Sequence, residues 1–178
     1  MMKKSGIILI ITLLILFIIE GSILPWFIPS SWQTRLIPHL VYVVILYVSV
    51  YESRHKALLW GVIFGLLHDI IYYGYMIGTY SFAIGFSAYL VGLIFKPGRT
   101  PLPFMMIAVL IGSLLLDSIL FGTYKLFELD SLPYNWELIN HMVPNMIFHF
   151  VFALVIYVPI RRLVEGNVYR SRSQEEKG

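Results

Sequence analysis

The chain of 178 residues contains no cysteine, so neither a disulfide nor a thiolate metal site contributes to it, and thiol usage says nothing of its redox compartment. Charge is scarce as well. Asp, Glu, Lys and Arg make up 13% of the residues, against roughly 25% in soluble domains. With 58% hydrophobic residues and a mean hydropathy of +0.80, an ordinary soluble domain is excluded and the chain reads as an integral membrane protein. Catalytic signatures are missing too: there is no H-E-x-x-H, no G-x-S-x-G and no P-loop. No small-residue A-x-A site follows the first apolar stretch. Glu20 and Pro25 stand where signal-peptide cleavage would fall, so the segment behind Lys3 and Lys4 reads as an uncleaved first span.

What the sequence has in abundance is long apolar runs. With a spanning length of about 20 residues, six helices are predicted over about 6–24, 36–52, 57–73, 78–95, 103–124 and 139–160, each ended by charge, proline or glycine. Residues 1–164 then form one all-α membrane domain, a bundle of six transmembrane helices, and residues 165–178 a short solvated cytoplasmic tail without order. The third span is diluted by Gly61, Gly65, His68 and Asp69, but the charge distribution requires it. With a cytoplasmic amino terminus, all of the 13 lysines and arginines except Arg35 and Lys125 fall inside. This is the asymmetry of the positive-inside rule, and deleting any one span destroys it. The last outer loop, TYKLFELDSLPYNWEL, carries Glu128, Asp130 and Glu137 against a single lysine, with Tyr124, Tyr134 and Trp136 suited to the headgroup region.

Within these runs the ionisable groups gather at similar depth. Gly61, Gly65, His68 and Tyr72 follow the 4, 3, 4 spacing of one helical face, and Asp69 lies four residues after Gly65. Glycine faces allow close approach between membrane helices, so His68 and Asp69 are expected to turn inward. The next helix offers a matching stripe at Ser81, Gly85, Ala88 and Gly92, and the short connection from Tyr73 to Ile77, containing Gly74, makes the two an antiparallel hairpin packed along these stripes. Glu20, His39, Asp117 and His141 fall toward the outer ends of their helices, and His141, Asn145 and His149 align on one face of the last. Glu20, His39, His68, Asp69, Asp117, His141, Asn145 and His149 thus form a candidate inward polar layer. One reading makes the layer a pocket or proton relay; the other has its members pair with one another and lock the bundle, or merely sit at interfacial depth, where the cost is small. A metal at His141, His149 and Asp69 is not expected, because two histidines eight residues apart on one helix do not converge on a single ion. No cofactor is expected either.

The stretch GVIFGLLHDIIYYGYMIGTYSFAIGFSAYLVGLIF resembles the central signature of the MreD family of rod shape-determining membrane proteins: a G-x-x-x-G-L-x-x-D span, a glycine-containing turn and a small-residue helix. The likeness extends through IIEGSIL, LIPHLVYVVILYVSVYESRHKA, LLLDSILFG and HMVPNMIFHFVFALVIYVPIRRL, and so covers essentially the whole chain. His68 precedes the acidic position where the family tends to have an aromatic or polar residue. The resemblance implies a non-enzymatic scaffold of the bacterial cell-elongation machinery, multi-pass in the plasma membrane with both termini cytoplasmic. Its implied partners are MreC directly, with MreB, RodA and a class B penicillin-binding protein in the same complex, and no nucleic acid. Such proteins also resemble the S components of energy-coupling-factor transporters in helical architecture, which supplies an alternative function: the vitamin- or small-molecule-binding subunit of a transporter. That alternative calls for an A-x-x-x-A docking stripe in the first helix, and SGIILIITLLILFIIEG contains no alanine.

Overall fold

A computed structural model of the chain describes residues 4–33, 35–72, 76–95, 100–129 and 132–175; the regular elements among them are all helices, joined by turns and short extended segments, with no strand. Helix α1 runs over Lys4–Ile18 and continues through a π-helical turn, Ile19–Ile23, into a last α-helical turn, Leu24–Phe27. Next come α2 (Leu40–Tyr51), α3 (Arg54–Ile71), α4 (Thr79–Ile94) and α5 (Leu102–Leu126). Helix α6 opens with Tyr134–Glu137, passes through a second π-helical turn, Leu138–Met142, and extends over Val143–Glu175. Three stretches are long and apolar enough to cross a bilayer: Gly6–Phe27, Leu102–Leu126 and Tyr134–Gly166. Leu40–Tyr51 and Thr79–Ile94 are shorter apolar helices. The protein is an all-helical membrane protein.

The first helical stretch ends at Phe27 against a predicted 24 and the last begins at Tyr134 against 139, and two further boundaries depart from the sequence reading for visible reasons. The helix predicted from residue 36 begins only at Leu40, because Pro38 disfavours the helical conformation at Ile37 and His39 itself has φ −108° and ψ 82°. At the other end, the backbone stays helical past residue 160 and through 165–175, where a tail without order was expected. Arg161 Nε donates to Glu165 Oε1 at 2.9 Å, an i,i+4 pair that supports continuation of the helix. Residues 176–178 and Gly74 of the hairpin connection lie outside the described residues.

Helix α2 organises the rest. Its 12 residues are all buried, and it touches each of the other five helices. A helix apolar on every side belongs in the interior, and this one is about 18 Å long at 1.5 Å per residue. Its few polar groups act as pegs into the surrounding helices. Tyr42 Oη donates to the Gly112 carbonyl of α5 at 2.8 Å, Tyr47 Oη to Ala153 of α6 at 2.7 Å, and Ser49 Oγ to Ala88 of α4 at 2.6 Å. Such hydrogen bonds between membrane helices contribute about 0.6 kcal/mol on average. The outer surface carries the exposed isoleucines 8, 11 and 15 of α1 and Val151, Val155 and Val158 of α6, an apolar coat suited to lipid.

Helices α3 and α4 make the most extensive contact in the molecule, and small residues set its distance. A Cβ added at Gly61 would lie 2.6 Å from Gly85 Cα, and one at Gly65 would overlap the backbone of Ser81. Farther along α4 the stripe meets other elements. Ala88 receives the Ser49 hydroxyl, and a Cβ on Gly92 would lie 2.5 Å from Ser49 Oγ and 2.6 Å from Arg54 Cβ. Ala88 and Gly92 therefore seat α4 against the end of α2 and the first residue of α3.

Candidate functional site

The site begins where α2 does. The extended lead-in through Pro38 and His39 leaves backbone donors without helical partners, and an unpaired buried N–H costs about 1–3 kcal/mol. Side chains from distant helices answer them. Ile37 N–H donates to Asn145 Oδ1 at 2.9 Å, His39 N–H to His149 Nε2 at 2.8 Å, and Val41 N–H to Glu20 Oε2 at 3.3 Å. Because Nε2 of His149 accepts, its proton sits on Nδ1, which donates to Ser113 Oγ at 2.9 Å. Asn145 spends its amide on Asp117 Oδ2 at 3.4 Å. The alignment of Asn145 and His149 on α6 thus serves two consecutive donors of the lead-in.

Glu20 reaches this point from a π-helical turn, whose extra residue alters the direction of the side chains it carries. Tyr72 of α3 packs against the turn and donates from Oη to the Phe17 carbonyl at 2.9 Å, and any side chain at Gly21 would run into the Tyr72 ring. From there Glu20 Oε1 lies 3.2 Å from His39 Nδ1 and 3.7 Å from His68 Nε2. The His39 and His68 ring centres are 5.4 Å apart, and His68 stacks on Tyr80 of α4 at 4.1 Å. Among the described residues, Glu20, His39 and His68 are the group whose ligand atoms, all within 4.8 Å of one another, are placed to hold a metal ion. Two cavities adjoin the cluster. One of about 300 Å³ is bounded by Glu20, Leu24, Leu36, His68 and Tyr72, and one of about 80 Å³ by His39, Tyr80, Asp117, Glu137, His141 and Asn145.

Six of the residues assigned to the polar layer, Glu20, His39, His68, Asp117, Asn145 and His149, come together here. His141 stands at the edge, lining the smaller cavity with its ring 5.4 Å from Trp136. Asp69 points elsewhere. Its carboxylate accepts backbone N–H bonds from Gly78 at 2.9 Å, Tyr80 at 3.2 Å and Ser81 at 3.2 Å, so it caps the start of α4 from across the hairpin. Gly78 holds φ +100°, a left-handed conformation open to glycine, and this turns its N–H toward the cap. A carboxylate here also faces the positive end of the α4 dipole.

Of the loop acids, Glu128 is exposed with φ +57°, Glu137 lies in the first turn of α6 beside the smaller cavity, and Asp130 lies outside the described residues. Lys125 Nζ donates to the Leu132 carbonyl at 3.1 Å, drawing the loop together. Ser113 and Tyr80 escaped the sequence reading. Ser113 precedes Asp117 by one helical turn, a signal that was available; Tyr80 has none beyond its place in the hairpin.

Comparison with known proteins gives a consistent picture. The family model described as rod shape-determining protein MreD matches residues 2–166. The rod shape-determining protein MreD of Bacillus subtilis (strain 168) is 25% identical over 126 residues, covering 71% of this chain and 73% of that protein. No solved structure matches the chain.

Proposed function

The chain belongs to the MreD family of rod shape-determining proteins, and from that premise we propose that it is a non-enzymatic membrane scaffold of the cell-elongation complex, binding MreC and supporting lateral peptidoglycan synthesis. The family match over residues 2–166 carries this reading. The chemistry of the interior supports it: Asp69, Glu20, Asn145 and His149 each accept a hydrogen bond from a backbone amide of another segment, as groups that fix a fold do. MreB, RodA and a class B penicillin-binding protein belong to the same complex. Depletion in a rod-shaped host is expected to give rounded, widened cells whatever vitamins are supplied. Cells that stay rod-shaped, or recover on one added vitamin, would favour the transporter-subunit alternative, for which the 300 Å³ cavity beside Glu20 and His68 is the supporting observation.

In this reading the helices cross the plasma membrane six times with both termini cytoplasmic, α2 and α4 being short crossings shielded by their neighbours. The near-complete segregation of lysine and arginine supports it. The lack of native cysteine makes a labelling test free of background. Single cysteines at Ser31 and Ser131 are expected to react with an impermeant thiol reagent on intact cells, whereas those at Ser53 and Ser171 should stay unlabelled. Labelling at Ser53 would refute six spans.

The loop between α5 and α6 is the surface proposed to meet MreC. Changing Glu128, Asp130 and Glu137 together to lysine is expected to weaken MreC capture partially, with the loss varying with salt, because rim charges tune association more than they create affinity. Unchanged capture at low ionic strength would remove the loop from the interface.

A further inference from the structure

Three donor atoms from three separate elements converge beside the start of α2: Glu20 Oε1 on the π-helical turn of α1, His39 Nδ1 in the lead-in, and His68 Nε2 on α3. A zinc ion held tetrahedrally at about 2.0–2.1 Å keeps its ligand atoms roughly 3.3 Å apart. The 3.2 Å and 3.7 Å separations bracket that value, and all three atoms lie within 4.8 Å of one another.

Charge points the same way. Glu20 is 9% exposed, and the ion-pair partners it has among the described residues are His39 and His68. Burying a carboxylate is costly, and a bound cation would add to what the His39 ring contact and the Val41 N–H already offset. Each ligand is also held in place independently: Glu20 by the Val41 N–H, His39 by the backbone bond of its own residue to His149, and His68 by stacking on Tyr80. The 300 Å³ cavity touches Glu20 and His68 and gives a water a route to a fourth position.

We propose that Glu20, His39 and His68 bind a divalent transition-metal ion of zinc type, with a water from the cavity completing the tetrahedron and the ion tying α1, α2 and α3 together. Two imidazoles and a carboxylate suit zinc and its late first-row neighbours better than calcium or magnesium. The site stands on side-chain geometry and holds or fails apart from the scaffold reading.

The test uses the full chain in lipid nanodiscs, purified without a histidine tag, with Zn²⁺ and Co²⁺ as probes. One metal per chain is expected, with the visible absorption of tetrahedral Co²⁺ and a thermal unfolding midpoint raised by Zn²⁺ and lowered again by chelator. Glu20→Gln and His68→Gln should each weaken binding at least about tenfold, while His141→Gln binds as the parent does. Should Glu20→Gln fail to fold, His68→Gln, at the rim of the cavity, carries the comparison. Folded parent protein that shows no saturable Co²⁺ absorption and no chelator-sensitive midpoint overturns the proposal, as does binding that survives His68→Gln unchanged.

Discussion

Asp69→Leu is expected to remove about 3–5 kcal/mol of stability, enough to empty the membrane of most folded protein. The side chain answers three backbone N–H groups at once, those of Gly78, Tyr80 and Ser81. Leucine leaves all three unanswered, at about 1–3 kcal/mol each for a buried donor, and the lower part of that range applies because two of the three bonds are only partly buried. The loss of charge at the start of α4 adds to the effect. Asp69→Asn should fall between. Its Oδ1 can serve Gly78 and Ser81, which share one carboxylate oxygen, but its amide then faces the Tyr80 N–H donor to donor. Thermal unfolding in nanodiscs should therefore rank aspartate above asparagine and asparagine above leucine. Equal stability of aspartate and leucine would show that the cap contributes nothing.

The second large effect is expected at Gly65, where even alanine places a methyl group into the backbone of Ser81. Backbone cannot swing aside as a side chain can, so α3 and α4 must separate. Overpacking of this kind costs about 1–3 kcal/mol for small additions and more for large ones. Gly65→Ala should lower the unfolding midpoint and Gly65→Leu should abolish accumulation of folded protein. Gly122→Ala is the matched control: it also lies in a helix, a Cβ there meets nothing within 4 Å, and the change should be neutral or slightly stabilising. If Gly65→Ala behaved like Gly122→Ala, the close approach of the two helices would be wrong.

The hairpin was legible because its signal is local. Small residues at helical spacing on both sides of a short turn name the contact face, and Gly61 and Gly65 do meet Gly85 and Ser81. The polar layer was legible as a set of residue types at unusual depth, but its internal partnerships were not. Which donor Asn145 answers depends on Pro38 keeping the lead-in extended, and that link runs between residues 108 positions apart. The same distance hid the Glu20, His39 and His68 cluster. Spacing along one helix excluded a metal at His141 and His149, whereas three ligands drawn from three elements leave no spacing to read. The central place of α2 was invisible for a different reason. LVYVVILYVSVY looks the same whether its sides meet lipid or protein, since both are apolar, and only the hydroxyls of Tyr42, Tyr47 and Ser49 mark the difference. The π-helical turns carry no residue signature at all.

The lead-in to α2 also sets an order of events during synthesis. Ile37 and His39 leave the ribosome early, yet Asn145 and His149, which answer their N–H groups, are made 108 and 110 residues later. At about 5–20 residues per second, that interval lasts roughly 5–20 s. Throughout it, α2 has neither its α6 wall nor partners for its first donors, and it must be sheltered by the insertion machinery or by water at the bilayer surface. Helix α6, made well after α2, is therefore the one that closes the centre. A nascent chain that ends before residue 145 has no partner for the Ile37 and His39 donors, so synthesis of α6 is the step that completes the interior around α2.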